Sequence, residues 1–162
     1  LIKTSPLHMY NKLMISGAIL IYGSTIEDRE LKVKELIENV DPRLLEKENA
    51  DLMVMKKPKD KKSIGIAQVR KATSFLSTRP YSSDAKVVVI YGAHLLSLQA
   101  QNALLKTLEE PPIYSVIILS SKTETALIPT VLSRCRKFKA SGKIFSIEDK
   151  NDPQILDGGL PK

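Results

Sequence analysis

Few residues of this chain have types and spacing suited to chemistry, and most of those are cations. Gly23 closes an apolar run and is followed by Asp28, Arg29 and Glu30. Tyr91 and Gly92 close a second apolar run, with Ala93 and His94 behind them. Ser133, Arg134 and Cys135 stand together at the start of a basic stretch reaching Lys143, and Arg70 ends the run Ser63-Ile-Gly-Ile-Ala-Gln-Val-Arg70. Ser133 has no base beside it to make it a nucleophile, and His94 alone is a weak base. Cys135 is the single cysteine of 162 residues, which rules out an intramolecular disulfide and a multi-cysteine zinc site. No metal site is expected. Arginine remains, and its planar guanidinium suits phosphate oxygens. Taken without a motif around it, Arg134 reads as a surface arginine amid basic neighbours.

Composition narrows the classes. At 43% hydrophobic residues the chain can bury one adequate core. No apolar run approaches membrane-spanning length and no signal-peptide core is seen, so the expectation is a cytoplasmic protein with no membrane partner. The net charge of +7 agrees with a polyanion partner. The densest cluster, Lys56-Lys57-Pro58-Lys59-Asp60-Lys61-Lys62, lacks interleaved aromatics and reads as a solvated, hairpin-like loop that binds nucleic acid weakly at best.

The elements that would hold these residues alternate. Gly17–Tyr22, Asp51–Met55, Lys86–Ile90, Ser115–Ser120 and Arg136–Lys139 read as strands, the apolar ones as buried parallel strands. Helices are predicted over Glu27–Val40, with Leu31, Leu36, Ile37 and Val40 inward, over Ile66–Ser77, and over the run ending at Pro111. Ser24 with Glu27, or Thr25 with Asp28, has capping-box spacing. In the third helix Ala100, Ala103, Leu104, Thr107 and Leu108 share one face, Ser97 is the predicted N-cap, and Pro111-Pro112 ends it. This alternation predicts a three-layer α/β domain with a mostly parallel five-stranded sheet over residues 1–140. A weak amphipathic lead-in covers Leu7 to Met14, and residues 141–162 read as a loose tail.

Strand, helix ending Leu104-Leu-Lys-Thr-Leu-Glu-Glu-Pro-Pro112, strand, then Ser133-Arg134-Cys135 resembles the ATPase-like domain of bacterial clamp-loader subunits. These are the gamma/tau and delta-prime subunits of DNA polymerase III, in the AAA+ superfamily. The resemblance runs with gaps from about Gly17 to Lys139 and implies a P-loop-NTPase-like, RecA-like fold. It also exposes departures. Against the P-loop pattern begun at Gly23, Asp28 replaces the second glycine, Arg29 the lysine and Glu30 the hydroxyl residue. Carboxylates there repel a polyphosphate, and one cation cannot restore the backbone cradle. Where hydrolytic relatives carry the Asp-Glu of Walker B, this chain has Tyr91 and Gly92, which cannot hold magnesium. Ser120 and Ser121 fall at the family's nucleotide sensor and are expected to be structural.

By the same resemblance, Arg134 is an arginine finger acting in trans on a neighbour's ATP. Loss of the chain's own nucleotide motifs beside a retained finger resembles delta-prime more than gamma. The implied function is a non-hydrolysing clamp-loader subunit with no cofactor of its own, not itself an enzyme. Its implied partners are gamma/tau and delta subunits, with primed DNA approached by Arg70 and the sliding clamp met indirectly. The alternatives are an active ATPase that uses Arg29 as a surrogate lysine, and a stand-alone, non-specific DNA-binding module. Family members usually carry a four-cysteine zinc module, for which one cysteine does not suffice, and continue into a helical lid and a collar; by this comparison the sequence reads as a truncated piece or a diverged minimal form.

Overall fold

A computed structural model describes residues 17–141. The lead-in over Leu7 to Met14 lies outside the described residues, as does the expected tail beyond Ser141. Five strands, β1 (Gly17–Tyr22), β2 (Leu52–Met55), β3 (Lys86–Tyr91), β4 (Ser115–Ser121) and β5 (Cys135–Lys139), form one sheet in the order β2-β3-β4-β1-β5. Every pairing is parallel, with Ala18 beside Ile117 on one side and Cys135 on the other. The central strands are apolar throughout because both faces of such a sheet are covered.

Helices α1 (Ile26–Val40), α2 (Ile66–Leu76), α3 (Leu98–Glu109) and the single-turn α4 (Pro129–Leu132) provide that cover. The β1–β2 crossover steps one way across the sheet and the other three step back. Right-handed crossovers then put α1 alone on one face and the other helices opposite. Val33, Leu36, Ile37 and Val40 of α1 pack on Ile19, Ile21, Val89 and Ile118. Val69, Leu76, Leu104 and Val131 pack on Leu20, Val88, Ile90 and Leu119.

Two expectations need correction. Leu31 is not inward but 67% exposed. It lies about 200° around the helix from Arg29, and Arg29 and Lys32, not Leu31, complete the buried stripe of α1. Residues 128–133, to which the pattern assigned no element, contain α4, begun by Pro129 in the first turn, where its missing N–H costs nothing. The caps of α1 and α3 follow the sequence. Thr25 accepts from the Asp28 N–H at 3.1 Å, and Ser97 from the Ala100 N–H at 3.1 Å. Gln101 had no sequence signal. It is buried, donates to the Leu96 carbonyl at 3.2 Å and accepts from the Ile128 N–H at 2.8 Å, tying α3 to the segment that carries Arg134.

Buried carboxylates fasten the end of the sheet where the strands begin. Asp41 accepts from the Arg43 guanidinium at 2.6 Å and from the Asp84 N–H at 2.9 Å. Asp51, fully buried, accepts from the N–H groups of Tyr81, Ser82 and Ser83 at 2.7, 2.7 and 2.8 Å. Burial pushes the Asp51 carboxyl up, but these donors and the Ser82 hydroxyl outweigh it and hold its pKa below the ordinary value. The charged form is thus favoured in the folded state. Its stabilisation is complete above the unfolded carboxylate pKa of about 4 and is lost as pH falls through the lower folded value. Asp51→Asn turns an amide donor towards these N–H groups and should cost about 2–3 kcal/mol. Urea unfolding at pH 7 and at pH 3 should show the variant weaker at pH 7, with the gap narrowing in acid. Equal midpoints at pH 7 would refute the role.

Candidate functional site

In an open parallel sheet, ligands bind outside the carboxyl ends of neighbouring strands whose connections leave to opposite faces. Here those strands are β1, which leads to α1, and β4, which leads to the opposite face. The turn after β1 holds Gly23 at φ +79° and Ser24 at φ +52°, two successive left-handed residues of which only the first is glycine. The Gly23 N–H donates to the Lys122 carbonyl at 3.1 Å, and the Lys122 N–H donates to Nδ1 of His94 at 3.4 Å. The two sides of the crevice are therefore hydrogen-bonded to each other.

The polarity of this turn is the reverse of a phosphate cradle. Arg29 is buried, and its Nη1 donates to the Gly23 and Ser24 carbonyls at 2.8 and 2.7 Å. A cradle presents N–H groups to an anion; this turn presents carbonyls to a cation belonging to its own chain. The Asp28 N–H is already committed to Thr25 and the Arg29 N–H to the Thr25 carbonyl. The Ser24 hydroxyl donates to the Asp28 carboxylate, and this contact, with Thr25, holds the Asp28 pKa below its ordinary value. A carboxylate thus occupies the first turn of α1, where the helix dipole would favour a bound anion.

Across the crevice, Tyr91 ends β3 and Gly92 turns the chain at φ +71°. Burial, then the charge of Glu30, raises the Tyr91 phenol above its usual pKa, so it carries no charge for a metal. Lys56 lies 4.9 Å from the centre of the Tyr91 ring and 3.9 Å from Glu30. Burial, then Lys122 and Arg29, lowers the His94 pKa, which keeps the ring neutral at pH 7. Among the described residues no group of three His, Cys, Asp or Glu side chains could hold a metal ion. Ser120 and Ser121 are buried, and the Ser121 hydroxyl donates to the Thr123 carbonyl at 2.9 Å.

Arg134 sits at the opposite end of the sheet. It precedes β5, whose first residue Cys135 pairs with Ala18, so six residues of β1 separate its level from Gly23. At about 3.3 Å per residue that is roughly 20 Å, farther than an arginine side chain extends. The chain's own phosphate turn and Arg134 cannot form one site. Arg70 is exposed in the second turn of α2. The lysine loop reverses at 58–61, where the Lys61 N–H donates to the Pro58 carbonyl at 3.2 Å; Lys57 folds inward, donating to the Pro58 and Lys61 carbonyls at 2.9 and 2.7 Å, and Lys59, Lys61 and Lys62 are exposed. No helix of the described residues is long and apolar enough to cross a membrane.

The sequence profile of the family described as DNA polymerase III, delta subunit, matches residues 13–142. The chain is 36% identical over 105 residues to DNA polymerase III subunit tau of Bacillus subtilis, a match covering 59% of this chain and 18% of that protein. It is 40% identical over 86 residues to the delta-prime subunit of Escherichia coli, covering 53% of this chain and 26% of that one. It therefore spans about a quarter or less of the length of these relatives. The crystal structure of a DNA polymerase III, gamma subunit-related protein from Thermotoga maritima superposes with a TM-score of 0.71 at 29% identity, covering 83% of this chain and 45% of that one. The fold is thus the three-layer, P-loop type of AAA+ proteins.

Cys135 offers little reactivity within this frame. Burial pushes its thiol up to about 11, with Lys137 pulling weakly the other way. The thiolate is the reactive form, and an ordinary cysteine titrates near 8.5. At pH 8 Cys135 should react with iodoacetamide about a hundredfold more slowly than a free thiol, its rate still rising at pH 10. A plateau below pH 9, followed by mass spectrometry, would contradict the burial effect.

Proposed function

The chain belongs to the DNA polymerase III delta-subunit family, and from that premise we propose that it serves as a non-hydrolysing clamp-loader subunit of the delta-prime type. One observation carries the reading: the Arg29 guanidinium fills the turn where a nucleotide's phosphates would lie, bound by the Gly23 and Ser24 carbonyls. A surrogate-lysine role for Arg29 would require breaking both contacts and placing polyphosphate beside the Asp28 carboxylate. The competing reading as an active ATPase is disfavoured on that ground.

In this reading the chain contributes shape and one catalytic group. Arg134 is the trans-acting finger, because its distance from Gly23 leaves only another chain's phosphates within its reach. A planar, permanently charged fork is suited to the charge that develops on a transferred phosphoryl group. Its partners are then the gamma/tau and delta subunits of a loader. Arg70 and the exposed lysines of the loop at 59–62 offer sequence-independent contacts to the phosphates of primed DNA.

Titration of the chain with a fluorescent ATP analogue and magnesium should give no micromolar binding; saturable, magnesium-dependent binding would overturn the non-nucleotide assignment. In a reconstituted loader, Arg134→Ala should cut turnover at the neighbouring site by about a thousandfold, in line with other fingers, while the chain's unfolding midpoint stays within a few degrees. Undiminished hydrolysis at every site would remove the finger role.

A further inference from the structure

Arg134 already has an anion in the single chain. Its Nη2 donates to Oε1 of Glu109 at 2.6 Å, and its Nη1 donates to the Thr130 carbonyl at 2.7 Å and to the Ser133 hydroxyl at 3.3 Å. Glu109 is the last residue of α3, and Thr130 lies in α4. The guanidinium therefore rests between the side chain that ends α3 and a backbone carbonyl of the single-turn α4.

The two kinds of contact differ in what an incoming phosphate would do to them. The Thr130 carbonyl is neutral and occupies one arm of the fork. Glu109 places a full negative charge on the other arm, the same role a terminal phosphate oxygen would take. Nη2 keeps a second N–H, but a carboxylate and a phosphate gathered on one nitrogen would stand in contact as like charges and repel, so one displaces the other. The pair is also accessible, with side-chain exposures of 32% for Arg134 and 50% for Glu109, and ion pairs this exposed hold weakly. A multiply charged phosphate can displace a single carboxylate there.

We propose that Glu109 is a positioning residue that parks Arg134, standing in for phosphate until a neighbour's nucleotide displaces it. This rests on the finger role of Arg134 and adds a threshold to it. Glu109 competes with bound ATP for the same arm, so it raises the nucleotide concentration needed to engage the finger. Once the exchange has occurred, the transition state meets the same guanidinium, and the maximal rate is unaffected. The Thr130 carbonyl keeps the side chain aimed throughout.

The test compares wild type, Glu109→Gln, Arg134→Ala and the double variant in a reconstituted loader, with ATP hydrolysis titrated against ATP. Gln keeps the length and an acceptor oxygen of Glu109 but not its charge. Glu109→Gln should lower the half-saturating ATP concentration about two- to fivefold, the range such exposed pairs allow, with kcat unchanged within twofold. The double variant should behave as Arg134→Ala alone, since an unparked finger that is absent has no effect. If Arg134→Ala is defective but Glu109→Gln shows unaltered or higher half-saturation, or a lower kcat, parking is overturned and the finger stands. If Arg134→Ala is itself indistinguishable from wild type, the finger role falls and the parking role with it.

Discussion

Parallel strands cannot be joined by short turns, and each must be reached by a crossover of one hand. That constraint shapes everything else in this domain. Because β1 leads away from β5 and later strands return past it, α1 is left alone on one face, with the larger helical layer opposite. The same reversal opens a crevice beyond β1 and β4, and it forces the chain back to the starting end of the sheet before β5. Arg134 is at that end for topological reasons. The separation of a nucleotide turn from an arginine is thus built into the strand order, and no side chain could be substituted to merge them.

Within this frame the polar groups of the crevice are met by the chain's own atoms. The Gly23 N–H serves the Lys122 carbonyl, and the turn's carbonyls serve Arg29. A buried guanidinium is tolerable only when its donors are met, so Arg29 and the left-handed pair Gly23-Ser24 depend on each other. His94, kept neutral by its surroundings, accepts the Lys122 N–H and completes the closure. At the other end, Asp41 and Asp51 pin the loop before β3 with charge-assisted bonds, so both ends of the sheet are held by internal polar contacts.

Much of this was legible in the residues. Continuous apolar runs marked β1, β3 and β4 because a sheet buried on both faces leaves no polar alternation to obscure them. Ser97 and Pro111-Pro112 bounded α3 by ordinary capping and breaking chemistry. The replacements Asp28, Arg29, Glu30, Tyr91 and Gly92 were visible as departures from a motif. The direction of the Arg29 side chain was not, since it depends on Ser24 adopting a positive φ that serine seldom takes. Leu31 was misplaced because apolar character outweighed helical phase; two amphipathic cations supply the inward stripe there, their aliphatic stems buried. Gln101 and the Glu109–Arg134 pair join segments 27 and 25 positions apart, and no local pattern encodes such partners.

The outer strand β5 carries Arg136, Lys137 and Lys139, while β2, on the other rim, runs directly into Lys56 and Lys57. Both open rows of backbone groups are consequently bordered by positive charge. Two copies approaching rim to rim would meet mutual repulsion before any ladder could form, a recognised safeguard against fibrillar stacking. Among the described residues, the two outer strands are thus fenced against edge-to-edge pairing of like chains, the protection that charge on an edge strand gives in general.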